Sequence, residues 1–130
     1  MAAILIVDDE DVVRDVLYDL FSDDHMCHAA ATAEQALAFL REQTYDAVLT
    51  DISMPGLSGV ELLGYLRSEQ PDTPVIVVSG IGDREHAEGL IRLGAFDFIL
   101  KPFSLEKVEE SVERAVEHSG ASRRRRAASD

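Results

Sequence analysis

The chain has 130 residues, 46% of them hydrophobic, with no Trp, one Cys and a formal net charge of -13. That length supports one domain with a core of its own. The composition excludes a membrane span, an internal disulfide, and a body that binds nucleic acid or anionic membrane nonspecifically. Positive charge gathers at Arg123, Arg124, Arg125 and Arg126, while residues 1–122 hold 8 basic and 24 acidic side chains.

Met1-Ala2-Ala3-Ile4 carries no basic leader before its apolar run, so no secretory signal is expected. With Cys27 alone, a reducing cytoplasm is the expected setting. Ala3 to Val7 is apolar throughout and reads as a strand buried on both faces. Asp8 and Asp9 end it. From Glu10 the period becomes helical: Val12, Val13, Val16, Leu17, Leu20 and Phe21 form the predicted inward stripe, and Asp11, Arg14, Asp15 and Asp19 the other face. Acid at the start suits the positive end of the helix dipole.

His25 to Ala30 is a weaker strand, expected at an edge. Thr32-Ala33-Glu34-Gln35 has the form of a capping box and opens a second helix with Ala36, Leu37 and Leu40 inward. Asp46 to Thr50 is a third strand that delivers Asp51 into the loop Ile52-Ser53-Met54-Pro55-Gly56. Ser58-Gly59-Val60-Glu61 is a second capping-box pattern, starting a helix to about Ser68. Val75 to Val78 is a fourth strand, ending at Ser79 and followed by Gly80-Ile81-Gly82. A thin-faced fourth helix from Asp83 to Leu93 stops at Gly94. Phe96 to Leu100 is a fifth strand ending at Lys101-Pro102, a turn where an X-Pro step allows a cis bond although trans is the strong expectation. Ser104 caps the last helix, whose predicted inward stripe is Leu105, Val108, Val112, Ala115 and Val116. After Gly120 apolar periodicity is lost, so residues 121–130 read as a flexible Arg-rich tail or truncated linker behind a domain of residues 1–120.

Strands alternating with helices predict an α/β fold with a parallel sheet covered on both faces. Four polar groups then stand at the ends of apolar runs: the pair Asp8-Asp9, Asp51, Ser79 and Lys101. Each has an ordinary reading alone, Asp9 as a helix cap, Ser79 as a turn residue, Lys101 as a solvated amine. Three carboxylates in one small site repel by about 4 kcal/mol per pair at 4 Å and an effective dielectric near 20. Such a cluster calls for a cation, and all-oxygen donors suit Mg²⁺ better than Zn²⁺. Acids for a metal, a nucleophilic carboxylate, a hydroxyl and an ammonium together match phosphoryl transfer.

Four stretches carry a resemblance. They are Ile4-Leu5-Ile6-Val7-Asp8-Asp9; Asp51-Ile52-Ser53-Met54-Pro55-Gly56 with Gly59; Val77-Val78-Ser79-Gly80; and Gly94-Ala95-Phe96-Asp97-Phe98-Ile99-Leu100-Lys101-Pro102-Phe103. In this order and spacing, from about Ala3 to Glu117, the chain resembles the receiver domain of two-component response regulators, in the manner of a chemotaxis regulator. The resemblance implies a flavodoxin-like doubly wound sheet of five strands in the order 2-1-3-4-5, with five helices. It implies that Asp51 is phosphorylated by a sensor histidine kinase or phosphotransfer protein. Asp9 and Asp51 would bind Mg²⁺ through their side chains and Ser53 through its carbonyl, with Asp8 acting through water. Ser79 and Lys101 would contact the phosphoryl group. Phe98 would be a switch aromatic coupled to Ser79. The face of the fourth helix, fifth strand and fifth helix would meet a downstream effector, an output domain or a second copy of the chain after phosphorylation.

Ser53 and Ile81 occupy the two positions that tune phosphate lifetime in such domains. Neither is acidic or an amide, which predicts slow self-dephosphorylation. Arg92, Asp97 and Arg114 are candidates for ion pairs across a dimer, against a plain reading as solvated charges. His25, His28, His86 and His118 have no ligand spacing and are expected to pack ordinarily. The arginine run is expected to be a solvated linker. A haloacid-dehalogenase-type phosphatase would want Asp-x-Asp where this chain has Asp8-Asp9-Glu10, and a flavin or nucleotide module would want a Gly/Ser/Thr-rich loop there. The chain is therefore read as catalysing only its own phosphorylation and dephosphorylation.

Overall fold

The computed structural model describes residues 2–52, 59–80 and 84–129, without the side chains of Arg84, His86, Ala87 and residues 121–129. Ten elements alternate: β1 (Ala3–Val7), α1 (Asp11–Ser22), β2 (Met26–Ala30), α2 (Ala33–Glu42), β3 (Ala47–Asp51), α3 (Gly59–Glu69), β4 (Val75–Ser79), α4 (Arg84–Arg92), β5 (Asp97–Leu100) and α5 (Leu105–Ser129). The five strands form one sheet in the order β2-β1-β3-β4-β5, and every neighbouring pair is parallel. β2 lies at an edge, as its weaker apolar character predicts.

The continuous apolar runs are explained by burial on both faces. Leu5, Val7, Val48, Val75 and Val77 point to one layer with Ala36, Leu40, Leu62, Leu63, Leu66 and Leu90 of α2, α3 and α4. Ile4, Ile6, Leu49, Ile76, Val78 and Ile99 point to the other, with Leu17 and Phe21 of α1 and Val108, Val112 and Ala115 of α5. Each fully buried aliphatic side chain contributes about 1.5–3 kcal/mol.

Local signals hold where they can be followed. The Gln35 N–H donates to Thr32 Oγ1 at 3.1 Å, capping α2. Gln35 Oε1 accepts from the Ala31 N–H at 2.8 Å, so the reciprocal bond of the box lands one residue upstream. The Ser104 hydroxyl accepts from the Lys107 N–H at the start of α5. The turn after α4 uses Gly94 at φ 112, a conformation that costs a side chain energy. Against the general preference for trans, the Lys101-Pro102 bond is cis. Ser58, and with it the second capping box, lies outside the described residues.

Three expectations are corrected. Val12 and Val16 are 75% and 40% exposed, and Leu105 is 42% exposed. Leu17 and Phe21, with partly buried Val13 and Leu20, suffice to cover the sheet from α1. Leu105 sits at the first turn of α5, lining an open surface pocket with Val12, Val13, Val16, Lys101, Pro102 and Phe103. The last helix also does not end at Gly120; its backbone stays helical through Ser129. Ala and Arg are strong helix formers, so propensity sustains a helix there without an apolar face.

Candidate functional site

Parallel strands send all their C-terminal ends to one edge, and chain order places the polar residues there. Val7 pairs with Thr50 and Asp51 with Val78, which brings Asp8, Asp51 and Ser79 to neighbouring strand ends. Ser79 pairs with Leu100, and its carbonyl accepts from the Lys101 N–H at 2.6 Å. The lysine therefore enters from β5, across β4, toward the acids of β1 and β3.

Lys101 Nζ lies 2.9 Å from Glu10 Oε1, 3.3 Å from Asp8 Oδ2 and 3.3 Å from Asp51 Oδ2. Asp8 and Asp51 are buried, whereas Asp9 is exposed. Ligand oxygens of Asp8, Asp9 and Asp51 all fall within 4.8 Å of one another. The other oxygen of Asp8, Oδ1, accepts from the Glu10 N–H at 2.9 Å. Glu10, not Asp9, is the N-cap residue of α1.

Electrostatics follow from this packing. Burial pushes the Asp8 carboxyl above the usual carboxylate value, opposed by the Glu10 N–H and the Lys101 ammonium. Burial alone would lower the Lys101 pKa; the hydrogen bond to Glu10 and the charges of Asp51 and Asp8 outweigh it and push it up. The ammonium is thus firmly charged. The donor set fits Mg²⁺, since hard carboxylate oxygens converge and no Cys or His joins them among the described residues.

Ser79 Oγ is fully buried and, among the described residues, has no hydrogen-bond partner. Phe98 lies on the same layer as Leu90 and Ala95, partly buried against it. Asp97 takes the Ser111 hydroxyl at 2.8 Å and Arg114 Nη2 at 2.9 Å, so this ion pair forms within the chain. His28 Nδ1 meets the Tyr45 hydroxyl at 2.6 Å and its ring stacks on Phe39. His25 Nδ1 accepts from the Ala2 N–H, and the His118 ring tilts against Phe96; none of these three joins the acids. Ser53 and Ile81 lie outside the described residues.

The structure thus brings Asp8, Asp9, Asp51 and Lys101 into one cluster, with Ser79 one strand away. Glu10 is the member that motif reading passes over. Its signal was a third consecutive acid, which looks the same as ordinary dipole complementation.

Fold and cluster together define a doubly wound α/β domain with a carboxylate centre at its strand ends. Within that class, the chain belongs to the response regulator receiver domain family, whose model matches residues 4–113. It is 39% identical over 115 residues to the regulatory protein AtoC of Escherichia coli, covering 88% of this chain and 25% of that protein. It is 37% identical over 117 residues to the nitrogen assimilation regulatory protein NtrX of Azorhizobium caulinodans, covering 88% and 26%. The chain therefore spans about a quarter of the length of these relatives. Among solved structures, the receiver domain of NtrX from Brucella abortus superimposes with a TM-score of 0.84 at 39% identity, covering 88% of this chain and 98% of that one. A response regulator receiver domain protein from Clostridium thermocellum gives 0.88 at 27% identity, covering 93% and 98%. The chain is a receiver domain of the two-component response regulator kind. Among the described residues, no helix is long and apolar enough to cross a membrane.

Proposed function

We propose that Asp51 accepts a phosphoryl group from a sensor histidine kinase or phosphotransfer protein in a Mg²⁺-dependent step. One Asp51 oxygen attacks phosphorus as the bond to the donor's imidazole nitrogen breaks; the electron pair of that bond leaves with the nitrogen. When bound, Mg²⁺ would neutralise charge on the transferring oxygens, held by the side chains of Asp9 and Asp51, the Ser53 carbonyl and, through water, Asp8. Lys101 pairs with a phosphoryl oxygen and the Ser79 hydroxyl donates to another. The observation that carries this reading is the Lys101 ammonium within 3.3 Å of Asp51 and Asp8 at once. Exposed Val12, Val16 and Leu105 border Lys101, so a protein delivering phosphate to Asp51 covers them as it docks.

The phosphoryl group adds about 1.5–2 negative charges. Ser79 turns toward it, Phe98 takes the space released, and the α4-β5-α5 face changes shape. Inverting such an equilibrium takes about 5.5 kcal/mol, within reach of a few charge-assisted hydrogen bonds at about 1.5–3 kcal/mol each. That face then controls an output domain, a partner or a second copy of the chain, with residues 1–120 as the receiver and 121–130 leading away from it. Ser53 and Ile81 make the phosphate long-lived; a half-life of only seconds would overturn this.

Incubation with acetyl phosphate and Mg²⁺, followed by intact mass, tests the core of the proposal. The expected result is one phosphoryl adduct, absent in Asp51→Asn and after chelation. An adduct that survives in Asp51→Asn overturns it.

A further inference from the structure

Glu10 has a role that capping does not explain. It is the N-cap residue of α1, yet its side chain makes no capping hydrogen bond. Its carboxylate instead makes the shortest of the three contacts to Lys101, 2.9 Å against 3.3 Å for both Asp8 and Asp51. It reaches the ammonium from the solvent side: the Glu10 side chain is 60% exposed, that of Lys101 18%, Asp51 9% and Asp8 2%.

The inner two contacts matter to the cation site. Asp8 Oδ2 and Asp51 Oδ2 hold the ammonium, and the same two side chains belong to the carboxylate cluster. An ammonium and a divalent cation there compete for one set of oxygens. Lys101 must therefore yield ground without leaving, because its charge is wanted by the phosphoryl group. Glu10 is anchored for that purpose by its own N–H, which donates to Asp8 Oδ1.

We infer that Glu10 is a positioning residue: its carboxylate draws the Lys101 ammonium toward the mouth of the site and seats it there when a cation enters the cluster of Asp8, Asp9 and Asp51. This rests on the reading of Asp51 as a Mg²⁺-dependent phosphoacceptor. Glu10 acts through the lysine, so its effect depends on Lys101 being present and on its own reach.

Calorimetric titration of the 130-residue chain with Mg²⁺ alone tests it. Glu10→Gln weakens binding about two- to fivefold, the scale of a half-exposed ion pair. Glu10→Asp keeps the charge but is one methylene shorter, and it weakens binding nearly as much. Lys101→Ala tightens binding, and in that background Glu10→Gln has less than half its former effect. The inference is overturned by the same fold-change in both backgrounds, which would mean that Glu10 attracts the metal directly. It is also overturned by wild-type affinity in Glu10→Asp. A wild-type chain that does not bind Mg²⁺ overturns the phosphoacceptor reading itself, and this inference with it.

Discussion

A buried hydroxyl without a partner is expensive, about 1–3 kcal/mol, and Ser79 Oγ is such a group among the described residues. Ser79→Ala should therefore leave the unphosphorylated fold as stable or more stable in urea denaturation. The same variant should lose the response of the α4-β5-α5 face to phosphorylation, seen as unshifted Phe98 resonances after acetyl phosphate treatment. A marked loss of stability would mean that the hydroxyl already has a structural role. Tyr45 is the opposite case, a buried group whose polar atom is used. Its hydroxyl meets His28, and burial, reinforced by the charge of Glu42, pushes its pKa up to about 12. The folded value lies above the unfolded one near 10, so the fold favours the neutral phenol. That stabilisation is complete below pH 10 and is lost as pH rises toward 12, by roughly 2–3 kcal/mol. Denaturation midpoints across this window should fall less steeply in Tyr45→Phe; an unchanged slope would assign the loss to other groups.

At the scale of elements, the approach of α3 to the end of β3 depends on one glycine. A Cβ at Gly59 would collide with the backbone carbonyl of Asp51, and the Gly59 N–H donates to the Ile52 carbonyl at 3.1 Å. Backbone cannot swing aside as a side chain can, so Gly59→Ala must shift either α3 or Asp51. The expected outcome is a loss of about 1–3 kcal/mol in stability together with slower labelling by acetyl phosphate. Wild-type behaviour in both would show that the junction is not tight. Gly59 was legible as part of a family pattern, but its reason was not, because sequence does not display how closely two backbones approach. The strands were legible for the opposite reason: a parallel sheet buried on both faces forces unbroken apolar runs, as in Ile4 to Val7 and Val75 to Val78. α1 was misread because Val12 and Val16 obey the same period as Leu17 and Phe21, and period alone cannot say how wide a stripe the sheet covers. Glu10 was passed over since its contact with Lys101 spans 91 positions, a proximity only the assembled sheet creates.

The molecule as a whole is acidic, with a net charge of -13, and carboxylates converge at the strand ends. Asp8, Asp9 and Asp51 converge there, and one ammonium, that of Lys101, pairs with Asp8, Glu10 and Asp51. A divalent cation that binds this cluster in the fold, but not in the dispersed chain, stabilises the fold by mass action. At ten times its dissociation constant the gain is about 1.4 kcal/mol, or roughly 4–6 °C in Tm for a domain of this size. General screening also favours an acidic body, because self-repulsion destabilises the compact state. The two effects separate when MgCl₂ is compared with NaCl at matched ionic strength. Site binding predicts a larger shift with Mg²⁺, reduced in Asp51→Asn, which removes one ligand charge while keeping the shape. Equal shifts from both salts would mean that the carboxylates do not act together as a metal site, and the phosphoryl chemistry proposed for Asp51 would lose its cation.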